Sequence, residues 1–280
     1  MHDTPARRAT TPVRVRAVNG STSEERPDRL VTEEPMEIRI QGPELDAEPV
    51  AITMRTPGND FELAVGFLLT EGVLLDANDV ASVAYCLEGT GTQQYNVVTV
   101  QTRRAPDADR ARRSFAVSAS CGVCGKASLD DLEVRCEPVA PGPTVARSVL
   151  LTLPDVLRTE QSVFEATGGL HAAGCFGADG ALLALREDVG RHNALDKVIG
   201  HAAMNKRLPL ADQILVVSGR VSFEIVQKAA VAGIPIVCAV SAPSSLAVDA
   251  ARRFGQTVIG FLRDDRFNVY CGSERVDESA

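Results

Sequence analysis

A chain of 280 residues with 45% hydrophobic residues can bury one large domain or two modest ones, and with no Trp and only 4% aromatics its core must rest on Ala, Val, Leu and Ile. The 37 acidic against 29 basic residues give a net charge of −8, which argues against bulk nucleic-acid binding. No apolar run nears the roughly 20 residues a membrane-spanning helix needs, no apolar stretch follows Arg7, Arg8, Arg14 and Arg16 to make a secretory signal, and seven cysteines, scattered singly apart from Cys121 and Cys124, are no disulfide framework, so a reducing cytoplasm is the natural compartment.

Residues 1–30 are rich in Arg, Thr, Ser, Glu and Pro without an apolar period and read as a disordered tail. MEIRI (36–40) and VAITMRT (50–56) alternate like strands, with a turn at Gly42 and Pro43 between them. In TPGNDFELAVGFLLTEGVL (56–74), Asn59 or Asp60 can cap a helix that carries Phe61, Ala64, Val65 and Leu68 on one face and stops at Gly72. YNVVTVQ (95–101) and SFAVSAS (114–120) read as strands, the second leading into CGVCGK. Pro138, Pro141 and Pro143 stiffen the connection that follows. A domain boundary is placed there, between a smaller N-terminal α+β region over 31–140 and a larger C-terminal domain over 145–275.

The second half is more regular. LPDVLRTEQSVFEAT (153–167) predicts a helix ended by Gly168 and Gly169, ALLALRE (181–187) a strand, and the residues around Ala194 a helix. Strand ILVVS (214–218), helix FEIVQKAAVAG (223–233), strand IPIVCAV (234–240), helix SSLAVDAARRFG (244–255) and strand TVIGFL (257–262) then alternate. That order, with near-continuous apolar strands, predicts an α/β domain built on a mainly parallel sheet with helices on both faces.

Ligands of open parallel sheets sit beyond the carboxyl ends of the strands. Here those ends are Ser218, Gly219 and Arg220, the SAPSS loop (241–245), and Arg263, Asp264, Asp265 and Arg266. Two of the loops run into helix starts near Ser222 and Ser244, where free N–H groups favour an anion. Arg220, Arg263 and Arg266 add forked donors suited to phosphate. One such loop is explained as well by ordinary caps and surface charge; three together favour a phosphorylated ligand. Asp264 and Asp265 sit awkwardly beside phosphate and can instead accept from the N–H edge of a guanine.

DVGRHNALDK (188–197) crowds charged side chains at a helix start. Lys197 reads as part of the polar face of a capped helix. Arg191 and His192 divide evenly between that role and contact with an anion or a reacting atom. His171, after the Gly168 and Gly169 pair, reads as a satisfied buried residue.

SCGVCGK (120–126) is the sharpest chemical signal. Two thiols at C-x-x-C spacing can share or exchange a sulfur, and Lys126 favours the thiolate that does the chemistry. Gly122 and Gly125 predict a mobile loop. One cysteine can carry an extra sulfur as a persulfide, which the other can attack. Zinc needs a second ligand pair, which the isolated Cys86 and Cys136 do not make. A thioredoxin-like site needs the motif at a helix start, and a zinc deaminase needs H-x-E before P-C-x-x-C, which His171, Ala172 and Ala173 do not provide. On spacing alone, redox chemistry and sulfur transfer stay equally open.

RTPGNDFELAVGFLLTEGV, SCGVCGK, TGGLHAAG, REDVGRHNALDKVIG, SGRVSFEIVQKAAVAGIPIV, SAPSSLAVDAARRFGQTVIGF and RFNVY, running from about Arg55 to Tyr270, together resemble the family of FdhD-type formate dehydrogenase accessory sulfurtransferases. The resemblance implies a sulfur carrier that takes persulfide sulfur from a cysteine desulfurase. It passes that sulfur to molybdenum or tungsten in a bis(guanine dinucleotide) pterin cofactor, Mo-bis(molybdopterin guanine dinucleotide), before the cofactor enters formate dehydrogenase. The cofactor is then a bound substrate, with no permanent cofactor and no resident metal. The resemblance further implies a cytidine-deaminase-like larger domain, a homodimer, a persulfide on Cys121 with Cys124 as its partner, and cofactor binding by Phe261, Leu262, Arg263, Asp264, Asp265 and Arg266, where the family usually has smaller residues in place of Asp264 and Asp265. Arg220, Arg263 and Arg266 are then expected to hold pyrophosphates, with His192 as a proton donor. Two other readings compete: a chaperone that binds the cofactor without sulfur transfer, and a dithiol oxidoreductase.

Overall fold

The computed structural model of the chain describes residues 8–86, 95–106 and 138–279. Its first element is a hairpin of β1 (Thr10–Asn19) and β2 (Thr22–Val31), exposed along nearly its whole length. These residues were expected to form a disordered tail, so the expectation is corrected. The cause is local: Gly20 adopts φ 57° at the first position of a two-residue loop, where the turn that matches strand twist calls for glycine. Val13 and Val15 also alternate with Arg14 and Arg16 in the period of a strand.

β3 (Glu34–Gln41) and β4 (Glu48–Arg55) follow the alternation read from the sequence, with Met36, Ile38 and Ile40 pointing into a core. With β5 (Val80–Tyr85) and β6 (Val97–Thr102) they form a four-stranded sheet in the order β4-β3-β6-β5. Helix α1 (Asp60–Thr70) covers it with Leu63, Ala64, Val65 and Leu68. At its start Asp60 holds the fully buried Arg55 through Nε and Nη2, at 3.1 and 2.9 Å.

The second sheet has six strands in the order β13-β12-β11-β10-β8-β9. β10 (Ile214–Val217), β11 (Ile236–Ala239) and β12 (Thr257–Arg263) are parallel, as the alternation predicted. The flanking strands are not: β8 (His171–Phe176) runs antiparallel to β10 and to β9 (Leu182–Asp188), and β13 (Arg266–Cys271) antiparallel to β12. The sheet is therefore mixed rather than mainly parallel, because tight hairpins bound it where a crossover helix would have kept the direction. Helices α4 (Arg191–Met204), α5 (Phe223–Val231) and α6 (Ser245–Phe254) enclose one face in a core of small and branched residues. The short β7 (Val145–Ala146), which pairs in parallel with β14 (Val276–Asp277), leads into α2 (Arg147–Glu160), which covers the other face with Leu150, Leu153 and Leu157.

The helix expected over 153–167 is two helices. α2 ends at Gln161, and α3 (Ser162–Thr167) restarts because the Glu187 carboxylate accepts from Val163 N and Phe164 N at 3.0 and 2.8 Å. Gly168, at φ 68°, ends it. No helix among the described residues is long and apolar enough to cross a membrane.

Candidate functional site

The loops after β10, β11 and β12 are tied into one edge. Val221 N donates to Ala242 O at 3.2 Å, Ser244 N to Val221 O at 2.9 Å, and Phe261 N to Ser241 O at 3.0 Å. A cavity of about 570 Å³ opens between this edge and the α2–α3 break, a size suited to a small-molecule ligand.

Of the residues expected from the sequence, Ser218, Arg263 and Asp264 line the cavity. Ser218 is fixed by β8: its Oγ accepts from Ala172 N at 2.9 Å, and its own N donates to Ala172 O at 3.0 Å. Gly219 packs directly behind, and a Cβ there would come within 3.3 Å of His171 Nδ1 and 3.8 Å of Arg191 Cδ. A side chain at that position would press on the imidazole. Arg263 and Asp264 reach the cavity because β12 bulges between Gly260 and Arg263 and then turns through a two-residue loop, Asp264 adopting φ 55°.

The other expected residues are elsewhere. Leu262 is fully buried in the core beneath the sheet. Phe261, at φ 53°, does not line the cavity, and its ring lies 5.9 Å from the Arg263 guanidinium carbon. Arg220, Asp265 and Arg266 are exposed and do not line the cavity. Ser244 is an ordinary helix cap, accepting from Ala247 N at 3.2 Å. Ser222 is not: its Oγ lies 3.2 Å from His192 Nε2. Cys121 and Cys124 lie outside the described residues.

His192 is also withdrawn from the cavity. Burial first, then Lys228 and Arg191, push its pKa down to about 4. It has no imidazolium proton to give near neutral pH, which corrects its expected role as a proton donor. Lys197 is no surface residue either. It is buried, with its ammonium 2.7 Å from Asp188 Oδ2 and donating to Thr56 O at 2.9 Å. The motif around Asp188 thus joins the two sheets.

Five polar or aromatic cavity residues, Asp155, Arg158, Gln161, Phe164 and His171, were missed as ligand contacts. His171, read as a satisfied buried residue, lines the cavity. Burial and the Arg191 charge, against Asp188, hold its pKa below the usual histidine range, so it presents a neutral ring. Arg191 has a buried Nε with no partner among the described residues. Arg158, Gln161 and Phe164 come from the α2–α3 break, with the Arg158 guanidinium carbon 4.1 Å from the centre of the Phe164 ring. The only sequence signal near them is the Gly168 and Gly169 pair, which says that a helix ends but not what it faces. The assembled cavity has two guanidinium groups, two carboxylates from Asp155 and Asp264, a neutral imidazole and a flat cation–aromatic wall. That set can bind a phosphorylated ligand carrying a planar ring.

Residues 31–277 match the family model described as FdhD/NarQ family. The chain is 52% identical over 270 residues to the sulfur carrier protein FdhD of Streptomyces coelicolor, covering 94% of this chain and 93% of that protein. It is 51% identical over 279 residues to the protein of the same name from Mycobacterium tuberculosis, covering 96% and 99%. Among solved structures, a formate dehydrogenase accessory protein from Desulfotalea psychrophila has a similar fold, with a TM-score of 0.73 and 21% sequence identity over 96% of this chain and 100% of that chain.

Proposed function

The chain belongs to the FdhD/NarQ family, and from that premise we propose that it is a sulfur carrier serving formate dehydrogenase, holding its sulfur as a persulfide on Cys121. The observation that carries this reading is the identity of about half, over almost the full length, with proteins named sulfur carrier. The C-x-x-C pair of Cys121 and Cys124 supplies the sulfur chemistry it requires.

In the proposed cycle a cysteine desulfurase in the cytoplasm hands a sulfane sulfur to the Cys121 thiolate. The Cys124 thiolate then attacks the Cys121 sulfur. The S–S bond to the terminal sulfur breaks, a Cys121–Cys124 disulfide forms, and the terminal sulfur leaves as sulfide with two electrons from the dithiol. The acceptor is the metal of a bis(guanine dinucleotide) pterin cofactor, bound as substrate. A cellular dithiol reopens the disulfide. The cavity suits one phosphorylated arm of that substrate: Arg158 and Arg263 supply charge for phosphate, while Asp155, Asp264 and His171 are left for neutral polar atoms. We further propose a homodimer, which sedimentation of the purified chain checks.

The test is intact-mass spectrometry after incubation with a desulfurase, L-cysteine and pyridoxal phosphate. A gain of one sulfur in wild type and in Cys124→Ala, absent in Cys121→Ala, is the expected result. Cys121→Ala should also leave formate dehydrogenase inactive in cells. No gain in wild type with an active desulfurase favours a cofactor chaperone. Turnover on disulfide substrates without a sulfur gain favours a dithiol oxidoreductase.

A further inference from the structure

The β1–β2 hairpin lies outside the three cores of the described chain. Its edges are closed to further strands. Asn19 and Thr22 flank its two-residue loop, and the pairing continues from there to Thr32, whose N donates to Ala9 O at 2.8 Å. Along that register, Arg14–Pro27 and Pro12–Arg29 fall at positions whose backbone groups point away from the neighbouring strand. Each outer edge therefore carries a proline where a third strand would need an N–H donor. What the hairpin offers is a face. Arg14, Arg16 and Val18 share one side of β1, with Arg29 and Glu25 across from them on β2. Val18 is 67% exposed, and Glu25 comes no nearer to Arg14 than 4.0 Å, both side chains staying open to solvent. The face is basic, around one uncovered apolar side chain, on a chain of net charge −8.

A patch of opposite sign lies elsewhere on the same chain. The turn between β3 and β4 is pinned by Leu45 N donating to Gly42 O at 3.3 Å and by Gln41 Nε2 donating to Leu45 O at 3.0 Å. It exposes Glu44, at φ 57°, Leu45 and Asp46. Leu45 is 53% exposed, and neither carboxylate makes an ion pair among the described residues. The hairpin joins the body at the other end of β3, a strand of 8 residues and about 26 Å, and both patches stay uncovered within one chain. Opposite charges, each set around one exposed aliphatic side chain, complement each other across two copies. We infer that the basic face of the hairpin docks on the β3–β4 turn of a second copy of this chain, Arg14 and Arg16 meeting Glu44 and Asp46, with Val18 beside Leu45. A two-fold axis makes this contact twice, each copy giving its hairpin and receiving the other's. Exposed ion pairs add little strength each, so the contact sets register and partner choice in a dimer that dissociates on dilution. The inference rests on the homodimer proposed above and assigns its interface.

The experiment is sedimentation equilibrium of the full chain in wild type, in Arg14→Glu with Arg16→Glu, in Glu44→Arg with Asp46→Arg, and in the four changes combined, with the unfolding midpoint of each protein measured alongside. Wild type is expected to dimerise, and to do so more weakly as added salt screens exposed charges. Each double variant should associate at least about ten-fold more weakly, because like charges then face each other. The fourfold variant should return to within about three-fold of wild type, since the pairs are restored with their signs exchanged. All four side chains are exposed, so the variants should fold. If a charge reversal does not fold, Arg14→Gln with Arg16→Gln is read in its place, with a smaller loss in the same direction. Unchanged dimerisation in both double variants overturns the inference and leaves the homodimer with another interface. Weakening that the fourfold variant does not recover also overturns it, and turns the basic face towards a different acidic partner. A wild type that stays monomeric removes homodimer and interface together, whereas sulfur transfer is decided separately by the mass gain on Cys121.

Discussion

Both oxygens of the buried Asp188 are used twice. Oδ1 accepts from Gly190 N at 2.8 Å and Asn193 Nδ2 at 3.1 Å, and Oδ2 from Thr56 N at 3.1 Å with Lys197 Nζ at 2.7 Å. Removing the cation alone strands a buried carboxylate, so Lys197→Met should cost about 3–5 kcal/mol, read from the urea midpoint. His192 gives a pH prediction. Its pKa is about 4 when folded, set by burial, Lys228 and Arg191 against Glu224 and Glu71, and roughly 6.5 when unfolded. Between these values the unfolded chain binds a proton that the folded chain refuses, so stability falls as pH drops. The loss from pH 7 to pH 5 is about 2 kcal/mol, and His192→Gln should show a shallower fall over the same range. At this scale the sequence singles out the cysteine pair by its spacing, and that pair lies outside the described residues. The part of Asp188 was not legible, since its partner Thr56 lies just after β4, more than a hundred residues away in the chain.

Between elements, the closest approach is the crossing of α1 and α4. A Cβ on Gly66 would fall 1.9 Å from Asp196 O, and one on Gly200 would fall 1.8 Å from Glu62 O. These are backbone atoms and cannot step aside. Alanine gains about 1 kcal/mol of helix propensity over glycine, but forcing two helices apart costs about 3 kcal/mol or more. Either Gly66→Ala or Gly200→Ala should therefore lower the melting temperature, by roughly 5 °C or more in a chain of this size. Sequence reading found α1 and α4 and their apolar faces. It did not find the crossing, because glycines inside helices carry no periodic signal. The same limit explains β8: HAAGCF is built from small residues whose fit to a strand is decided by β10 beside it.

For the whole molecule, the β1–β2 hairpin stands apart from three cores that otherwise account for the described chain. It touches the body mainly at its end, where Val31 lies 3.2 Å from the place a Cβ on Gly169 would occupy, at the rim of the cavity. A chain starting at Val31 should therefore lose about 1 kcal/mol or less, measured by thermal unfolding, because two strands alone add little. The parallel strands and the edge beyond them were legible in the sequence, because hydrophobic alternation and strand-end loops are properties of neighbouring residues. The α2–α3 wall opposite was not, because it reaches the site only through the six-stranded sheet.

The seam between the two sheets is lined with charge rather than oil. Besides Asp188 and Lys197, Lys228 bridges Asp196 at 3.0 Å, Thr70 at 2.8 Å and Glu71 at 3.1 Å, and Arg186 reaches Glu62 at 2.7 Å. Cut at the proline-rich connection, each half would carry away ions whose partners stayed on the other. A fragment of either half should thus be insoluble or molten when expressed alone. Mixing the two should restore a folded complex only if the seam closes, so the two halves should fold as one unit.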